Sequence, residues 1–298
     1  MHRFTALLAS QKTILLDGAV GTELTRRGFD VDRPGWSANA IMEAPELLAA
    51  IHCEYVDAGA DVITANTFRT HRRSLVGTRY EGRDIELTQR AVEIARQAAG
   101  DRTLVAGSIS PLGDCYQPEE RPAVDEMVAE HSEQVRKLVE AGVDLLLLET
   151  MNNQTESLVA AKACASTGLP FVWSMIVQDG THLLSGECIQ SVVEQVFEKT
   201  TPSAVSLNCV HPQMAEKAIC HLKNIVGSVP VGFYGNTHHW TRHGGQMEFE
   251  AGPGLGADSY AAEIVSLVKQ FHLKFVGGCC GTTPSHITAL RQLLRNDE

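Results

Sequence analysis

A single (β/α)8 barrel over residues 1–298 is the fold class predicted by three features of the sequence. Short apolar runs recur eight times, the stretches between them carry helical periodicity, and polar residues gather where the runs end. The runs are ILLD (14–17), DVITA (61–65), LVAGSI (104–109), DLLLLE (144–149), FVWSMIV (171–177), AVSLN (204–208), VGFYGN (231–236) and KFVGGC (274–279). They are continuously apolar rather than alternating, as strands covered on both faces require.

The helices are read from spacing. After APELL, Leu48, Ile51 and Tyr55 share one helical face, and Tyr260, Ile264, Leu267, Val268 and Phe271 follow i, i+4, i+7, i+8, i+11. Thr283 and Pro284 read as the cap and first residue of a last helix through SHITALRQLL. A doubly wound sheet is the rival architecture, and the polar residues favour the barrel. Asp17, Asn66, Ser108, Glu149, Asn208 with Cys209, Asn236, and Cys279 with Cys280 all stand at or near C-terminal strand ends, where a barrel builds its active site. No composition break, repeat or charged linker divides the chain, and the stretch from Trp240 to Gly256 reads as a long loop, a candidate lid.

Composition narrows the function. With 25 Lys+Arg against 36 Asp+Glu, the net charge of −11 and the lack of a basic run argue against nucleic acid and anionic membrane surfaces as partners. No apolar run approaches the roughly 18 residues of a membrane span, and the stretch before the first strand is too short for an export signal, so a cytoplasmic protein is expected. Eight irregularly spaced cysteines do not resemble a disulfide framework.

The sharpest local feature is GGCCG at 277–281, taken with Cys209 at the end of the sixth run. Thiolates are good zinc ligands, and a catalytic zinc keeps three protein ligands and one open position, a count that Cys209, Cys279 and Cys280 match. The flanking glycines give the backbone freedom to turn two adjacent thiolates toward one ion. A vicinal pair of buried thiols, with Cys209 unrelated, is the bland alternative. DGAVGTEL (17–24) places a carboxylate before a glycine-rich turn, suited to an α-amino acid: Asp17 for the ammonium, turn amides for the carboxylate. A plain turn with a helix cap explains the same residues. Glu149, after four leucines, is costly to bury alone and is expected to face the mouth and meet a cation or proton.

These segments, DGAVGTELTRRG (17–28), ITANTF (63–68), GSISPLGD (107–114), LLLLET (145–150), SLNC (206–209), FYGN (233–236) and GGCCGTTPSHI (277–287), resemble the homocysteine S-methyltransferase family in order over nearly the whole chain. That family comprises zinc-dependent thiol methyltransferases on a (β/α)8 barrel. The resemblance implies Zn²⁺ on Cys209, Cys279 and Cys280, the homocysteine ammonium on Asp17 and Glu149, and its carboxylate near the turn at Gly18 to Gly21. It also brings Asn66, Thr67 and Asn236 to the substrate side of the mouth. The implied reaction is attack of the homocysteine thiolate on the methyl carbon of an onium donor, giving methionine. No general base at carbon is needed, so holding sulfur, methyl and leaving atom in line is the protein's main task.

The loop GSISPLGDCYQPEERP keeps Pro111, Gly113 and Tyr116 of a segment common in S-methylmethionine users and departs from it at Ser110 and Asp114. Folate- and cobalamin-binding regions and the long C-terminal extension of betaine users are not in this sequence, so S-methylmethionine or S-adenosylmethionine is the expected donor over betaine. A structural or sensing zinc site is the non-catalytic alternative and needs a closed four-ligand shell. A Schiff-base barrel needs a lysine at the mouth, whereas Lys12 and Lys274 fall at strand starts. His238, His239 and His243 lack ligand spacing and read as loop histidines; Arg69, Arg72 and Arg73 read either as a site for an anionic donor group or as a solvated cluster. Cys53, Cys164 and Cys220 read as small hydrophobes inside helices, while Cys115 and Cys188 carry no assignment.

Overall fold

The computed structural model describes residues 2–243 and 246–296, with the side chains of 242, 243, 246, 247, 249 and 296 also outside the description. Its strands are β1 (Ile14–Leu15), β2 (Val62–Ala65), β3 (Leu104–Ile109), β4 (Leu145–Met151), β5 (Phe171–Met175), β6 (Ala204–Asn208), β7 (Val231–Gly235), β8 (Trp240–His243), β9 (Gln246–Phe249) and β10 (Phe275–Gly278). Eight of them form one parallel sheet in the order β1-β10-β7-β6-β5-β4-β3-β2. A parallel bridge between Leu16 and Val62 brings the two edge strands together and closes the barrel. The expected fold class is therefore the observed one. Several runs differ from the observed strands by a residue or two at an end: polar residues such as Asp61, Asp144, Asn236 and Lys274 fall outside the ladder, and β4 continues to Met151.

Residues of alternate parity separate two cores, since successive strand side chains point to opposite faces. Ile14, Leu16, Val62, Leu104, Ala106, Leu145, Leu147, Val172 and Ala204 form one cluster inside the barrel, where Phe4 and Leu8 of the N-terminal helix Arg3–Ala9 join them. Leu15, Ile63, Val105, Leu146, Leu148 and Val205 instead meet the helices. Both read-out helices form as expected. Leu48, Ile51 and Tyr55 are the buried face of Pro45–Asp57, and Tyr260, Ile264 and Leu267 that of Ala257–Phe271. The last helix, Pro284–Asn296, starts at the expected proline.

Two expectations change. The 240–256 stretch is not all loop: β8 and β9 pair antiparallel, Trp240 opposite Phe249, because Trp240, Thr241 and Phe249 are strand-favouring residue types. Residues 244 and 245 of that expected lid lie outside the description. Cys53 and Cys220 do sit in helices, yet both are exposed, and only Cys164 packs as a small hydrophobe. They fall on the solvent stripe of amphipathic helices whose buried positions are taken by Leu48, Ile51, Ile219 and Leu222. Among the described residues no helix is long and apolar enough to cross a membrane.

Candidate functional site: a thiol cluster in the barrel mouth

A cavity of about 680 Å³ opens where the C-terminal strand ends converge, lined by Asp17, Asn66, Glu149, Cys209, Cys279 and Cys280 among others. Strand parity explains much of this list. In β3 and β4, Leu104, Ala106 and Leu145, Leu147 point into the barrel, so Ser108 and Glu149, next in phase, do so as well. Thr64 and Asn66 continue the inward series begun by Val62.

An irregularity in β4 follows directly on Glu149. The β4–β5 register shifts between Leu148 and Met151, and Thr150 adopts φ +61°. Asn208 holds that bulge: its Oδ1 accepts from Thr150 N at 3.1 Å and Ser174 Oγ at 2.7 Å, and its Nδ2 donates to Thr150 Oγ1 at 2.8 Å. The Glu149 carboxylate accepts hydrogen bonds from Ser108 Oγ and, at 3.3 Å, from Tyr234 Oη. Burial pushes the carboxyl up to about 7, opposed by the Ser108 hydrogen bond and reinforced by the nearby Asp17 charge.

Asp17 has a comparable environment. Thr64 donates to it from its backbone N at 2.7 Å and from Oγ1 at 2.9 Å, yet burial dominates and raises the carboxyl to about 7. The following turn is glycine-rich because nothing else fits. A Cβ on Gly18 would lie 2.7 Å from Thr282 Oγ1, and one on Gly21 would lie 2.4 Å from the Trp36 ring.

Cys209 breaks the parity of β6. Ala204, Ser206 and Asn208 share the inward phase, so a regular strand would turn Cys209 outward; φ +60° instead carries its sulfur into the mouth. A left-handed non-glycine residue is strained and persists only where its surroundings hold it. Here Asn236 Nδ2 and Trp240 Nε1 both donate to the Cys209 carbonyl, at 2.9 and 2.7 Å. The sulfurs of Cys209, Cys279 and Cys280 all lie within 4.8 Å of one another, and those of Cys209 and Cys280 are 3.7 Å apart. Tyr116 Oη stands 2.8 Å from Cys209 Sγ. In the ion-free cluster, hydrogen bonds from Cys209 and Cys279 hold Cys280 well below the ordinary thiol range, while hydrogen bonds to its two neighbours and burial hold Cys209 well above it. Such a trio of soft donors suits a metal ion, and no other metal-competent group of three occurs among the described residues.

The homologue comparisons decide the family. A family model described as homocysteine S-methyltransferase matches residues 14–294.

This chain belongs to the homocysteine S-methyltransferase family.

Among curated relatives, the homocysteine S-methyltransferase of Escherichia coli is 30% identical over 96% of both chains, and homocysteine S-methyltransferase 1 of Arabidopsis thaliana is 28% identical over 94% of this chain and 93% of its own. Among solved structures, the metallated form of the homocysteine methyltransferase MmuM from Escherichia coli superposes with a TM-score of 0.81 at 27% identity, covering 97% of this chain and 98% of that one.

The expected site residues sort into two shells in this family member. Asp17, Gly18, Gly21, Asn66, Glu149 and the three cysteines line the cavity. Thr67 and Asn236 lie outside that lining, and their side chains hold the carbonyls of Ser108 and Cys209 at 2.9 Å each. Thr67 is out of phase with the inward Thr64 and Asn66, which is the physical reason. The arginine cluster splits as well. Arg69 lines the cavity, stacks 5.2 Å over Phe68 and donates to Gly113 O at 2.9 Å, whereas Arg73 pairs with Glu130 at 2.5 Å. His239 stacks on His211 with centroids 3.6 Å apart, and His238 bonds Thr237 and Gly252; the His243 side chain is outside the described residues. No lysine lines the cavity among the described residues, so the mouth lacks the amine that a Schiff-base barrel needs.

Sequence reading missed Trp36, Phe68 and Tyr234 at the mouth, and the roles of Tyr116 and Trp240. Tyr234 shares the inward phase of Gly232 and Asn236 and was legible by parity. Trp36 opens a single 3-10 turn, Trp36–Asn39, too short to carry a periodic signal.

Proposed function

We propose that this protein is a zinc-dependent methyltransferase that moves a methyl group from S-methylmethionine or S-adenosylmethionine to homocysteine, forming methionine. The observation that carries the reading is the gathering of three cysteine sulfurs within 4.8 Å in one cavity with Asp17 and Glu149. Zinc fits the donor set. Thiolates 2.3 Å from a tetrahedral ion stand about 3.8 Å apart, beside the 3.7 Å between Cys209 and Cys280. Held by Cys209, Cys279 and Cys280, the ion would supply the acidity that makes a substrate thiol, ordinarily of pKa about 8.5, a thiolate near neutral pH.

The chain's own residues then bind and orient. Asp17 and Glu149 accept the homocysteine ammonium, which meets two buried carboxyls short of a cation and favours their ionised forms. Ser108, Tyr234 and Thr64 fix those carboxyls in place. The turn at Gly18 to Gly21 leaves room for the substrate carboxylate, and Asn66, locked to Ser37 by reciprocal 2.8 Å hydrogen bonds, closes that wall. On the outer wall Trp36 and Phe68 pack edge to face at 5.9 Å beside Arg69. Aromatic faces attract an onium cation, and Arg69 suits a donor that also carries a carboxylate.

In the transfer, a lone pair on the homocysteine sulfur forms the new S–CH3 bond while the donor's C–S⁺ bond breaks. Its electron pair stays with the departing sulfur, which leaves as a neutral thioether. Alignment of the three atoms is the chief demand on the cavity.

The test is methionine formation by zinc-loaded protein given homocysteine with S-methylmethionine, S-adenosylmethionine or betaine in separate reactions. Turnover with either sulfonium donor is expected. Turnover with betaine alone, or with none of the three, would overturn the reading.

A further inference from the structure

The loop after β3 brings one hydroxyl to the thiol cluster, and no substrate role absorbs it. Tyr116 Oη lies 2.8 Å from Cys209 Sγ, and a phenol, with an ordinary pKa of about 10, carries its proton at neutral pH and can donate it to a thiolate. The ring is fixed from the other side by Trp240, edge to face at 6.3 Å, whose Nε1 donates to the Cys209 carbonyl at 2.7 Å. The loop itself is anchored from beneath: Leu112 N donates to buried Glu156 at 2.7 Å, Glu156 also meets His131 Nε2 at 3.0 Å, and Asn152 Nδ2 donates to Cys115 O at 2.9 Å. A clamp of this kind holds the hydroxyl against that sulfur rather than leaving it to swing.

The chemistry poses a problem that this contact answers. An onium donor strong enough to methylate a substrate thiolate meets three further thiolates in the same cavity. If a ligand sulfur attacked, its lone pair would form an S–CH3 bond and the donor's C–S⁺ bond would break, releasing the same neutral thioether. The cysteine would become a neutral thioether, a far poorer metal ligand. A hydrogen bond to a thiolate occupies a lone pair and lowers its nucleophilicity, as charge-assisted hydrogen bonds stabilise the anion they meet.

We propose that the Tyr116 hydroxyl is a selectivity device: by hydrogen bonding to Cys209 Sγ it shields the protein's own ligand sulfur from methylation and leaves the homocysteine sulfur as the preferred nucleophile. The inference rests on the proposed function above, since it needs both the metal thiolates and an onium donor.

The experiment compares zinc-loaded wild type and Tyr116→Phe incubated with S-methylmethionine or S-adenosylmethionine without homocysteine. Peptide mass spectrometry reads a gain of one methyl group at Cys209, zinc content is followed in parallel, and methionine formation by wild type is measured separately. Tyr116→Phe is expected to hold zinc at the start and then to methylate Cys209 about tenfold faster than wild type, the scale set by one hydrogen bond to an anion, with zinc lost in step. Methylation of Cys209 in Tyr116→Phe no faster than in wild type, or failure of Tyr116→Phe to hold zinc at the outset, would each overturn the shielding role. Absence of methionine formation by wild type would instead sink the proposed function itself.

Discussion

Asp17 and Glu149, separated around the barrel by β2 and β3, face one cavity, and the charge of Asp17 contributes to holding the Glu149 carboxyl at about 7. Neither has a cationic partner among the described residues; hydroxyls and a backbone amide serve instead. Two buried carboxyls arranged this way are a costly feature for stability alone and a favourable one for receiving an ammonium group.

Replacing Glu149 with Gln keeps the Ser108 and Tyr234 neighbours but removes a charge from the proposed ammonium site. The homocysteine KM is expected to rise about 10- to 100-fold, the range of one charge-assisted hydrogen bond, with zinc content unchanged. Steady-state kinetics beside metal analysis checks this; an unchanged KM would place the amino group elsewhere.

Asp17 leaves a signature in stability against pH. Its folded carboxyl titrates near 7 rather than 3.8, so the fold binds a proton that the unfolded chain has released between these values. The stability this contributes is complete below about pH 4 and is lost as pH rises through 7. Asp17→Asn should therefore gain on wild type between pH 5 and pH 8 in the substrate-free protein, on the order of 2 kcal/mol. Denaturant melts at the two pH values measure it, and parallel profiles would show that Asp17 titrates as an ordinary aspartate.

Cys279→Ala or Cys280→Ala leaves two sulfurs where three ligands are proposed. Zinc retention and methyl transfer are expected to fall together to background, as metal affinity depends on the full deprotonated ligand set. Full activity in a zinc-free variant would remove the mechanism.

The arginines separate by position. Arg69→Ala, in the cavity wall, is expected to raise the KM for the methyl donor about tenfold, while Arg73→Ala, paired outside with Glu130, changes it less than about twofold. Donor titrations of both variants test this, and equal effects would reassign the cluster to loop stability.

The barrel was legible in the sequence because its physics is local and repetitive: continuous apolar runs mark strands covered on both faces, and helical stripes mark what covers them. The same logic reached Asp17, Asn66 and Glu149, polar residues at the ends of apolar strands where water or a ligand must meet them. What only the tertiary structure decided are the departures from periodicity. Alternation alone turns Cys209 away from the mouth; the left-handed backbone at that residue, held by Asn236 and Trp240 from other strands, reverses it. The contacts of Thr67 with the Ser108 carbonyl and of Asn236 with the Cys209 carbonyl likewise depend on neighbours distant in sequence. Phe68 and Tyr116 reach the cavity on loops, and Trp36 on one short 3-10 turn, whose paths no period encodes. Strand order could be read one segment at a time, but the meeting of Tyr116 with Cys209, 93 residues apart, exists only once the barrel has closed around both.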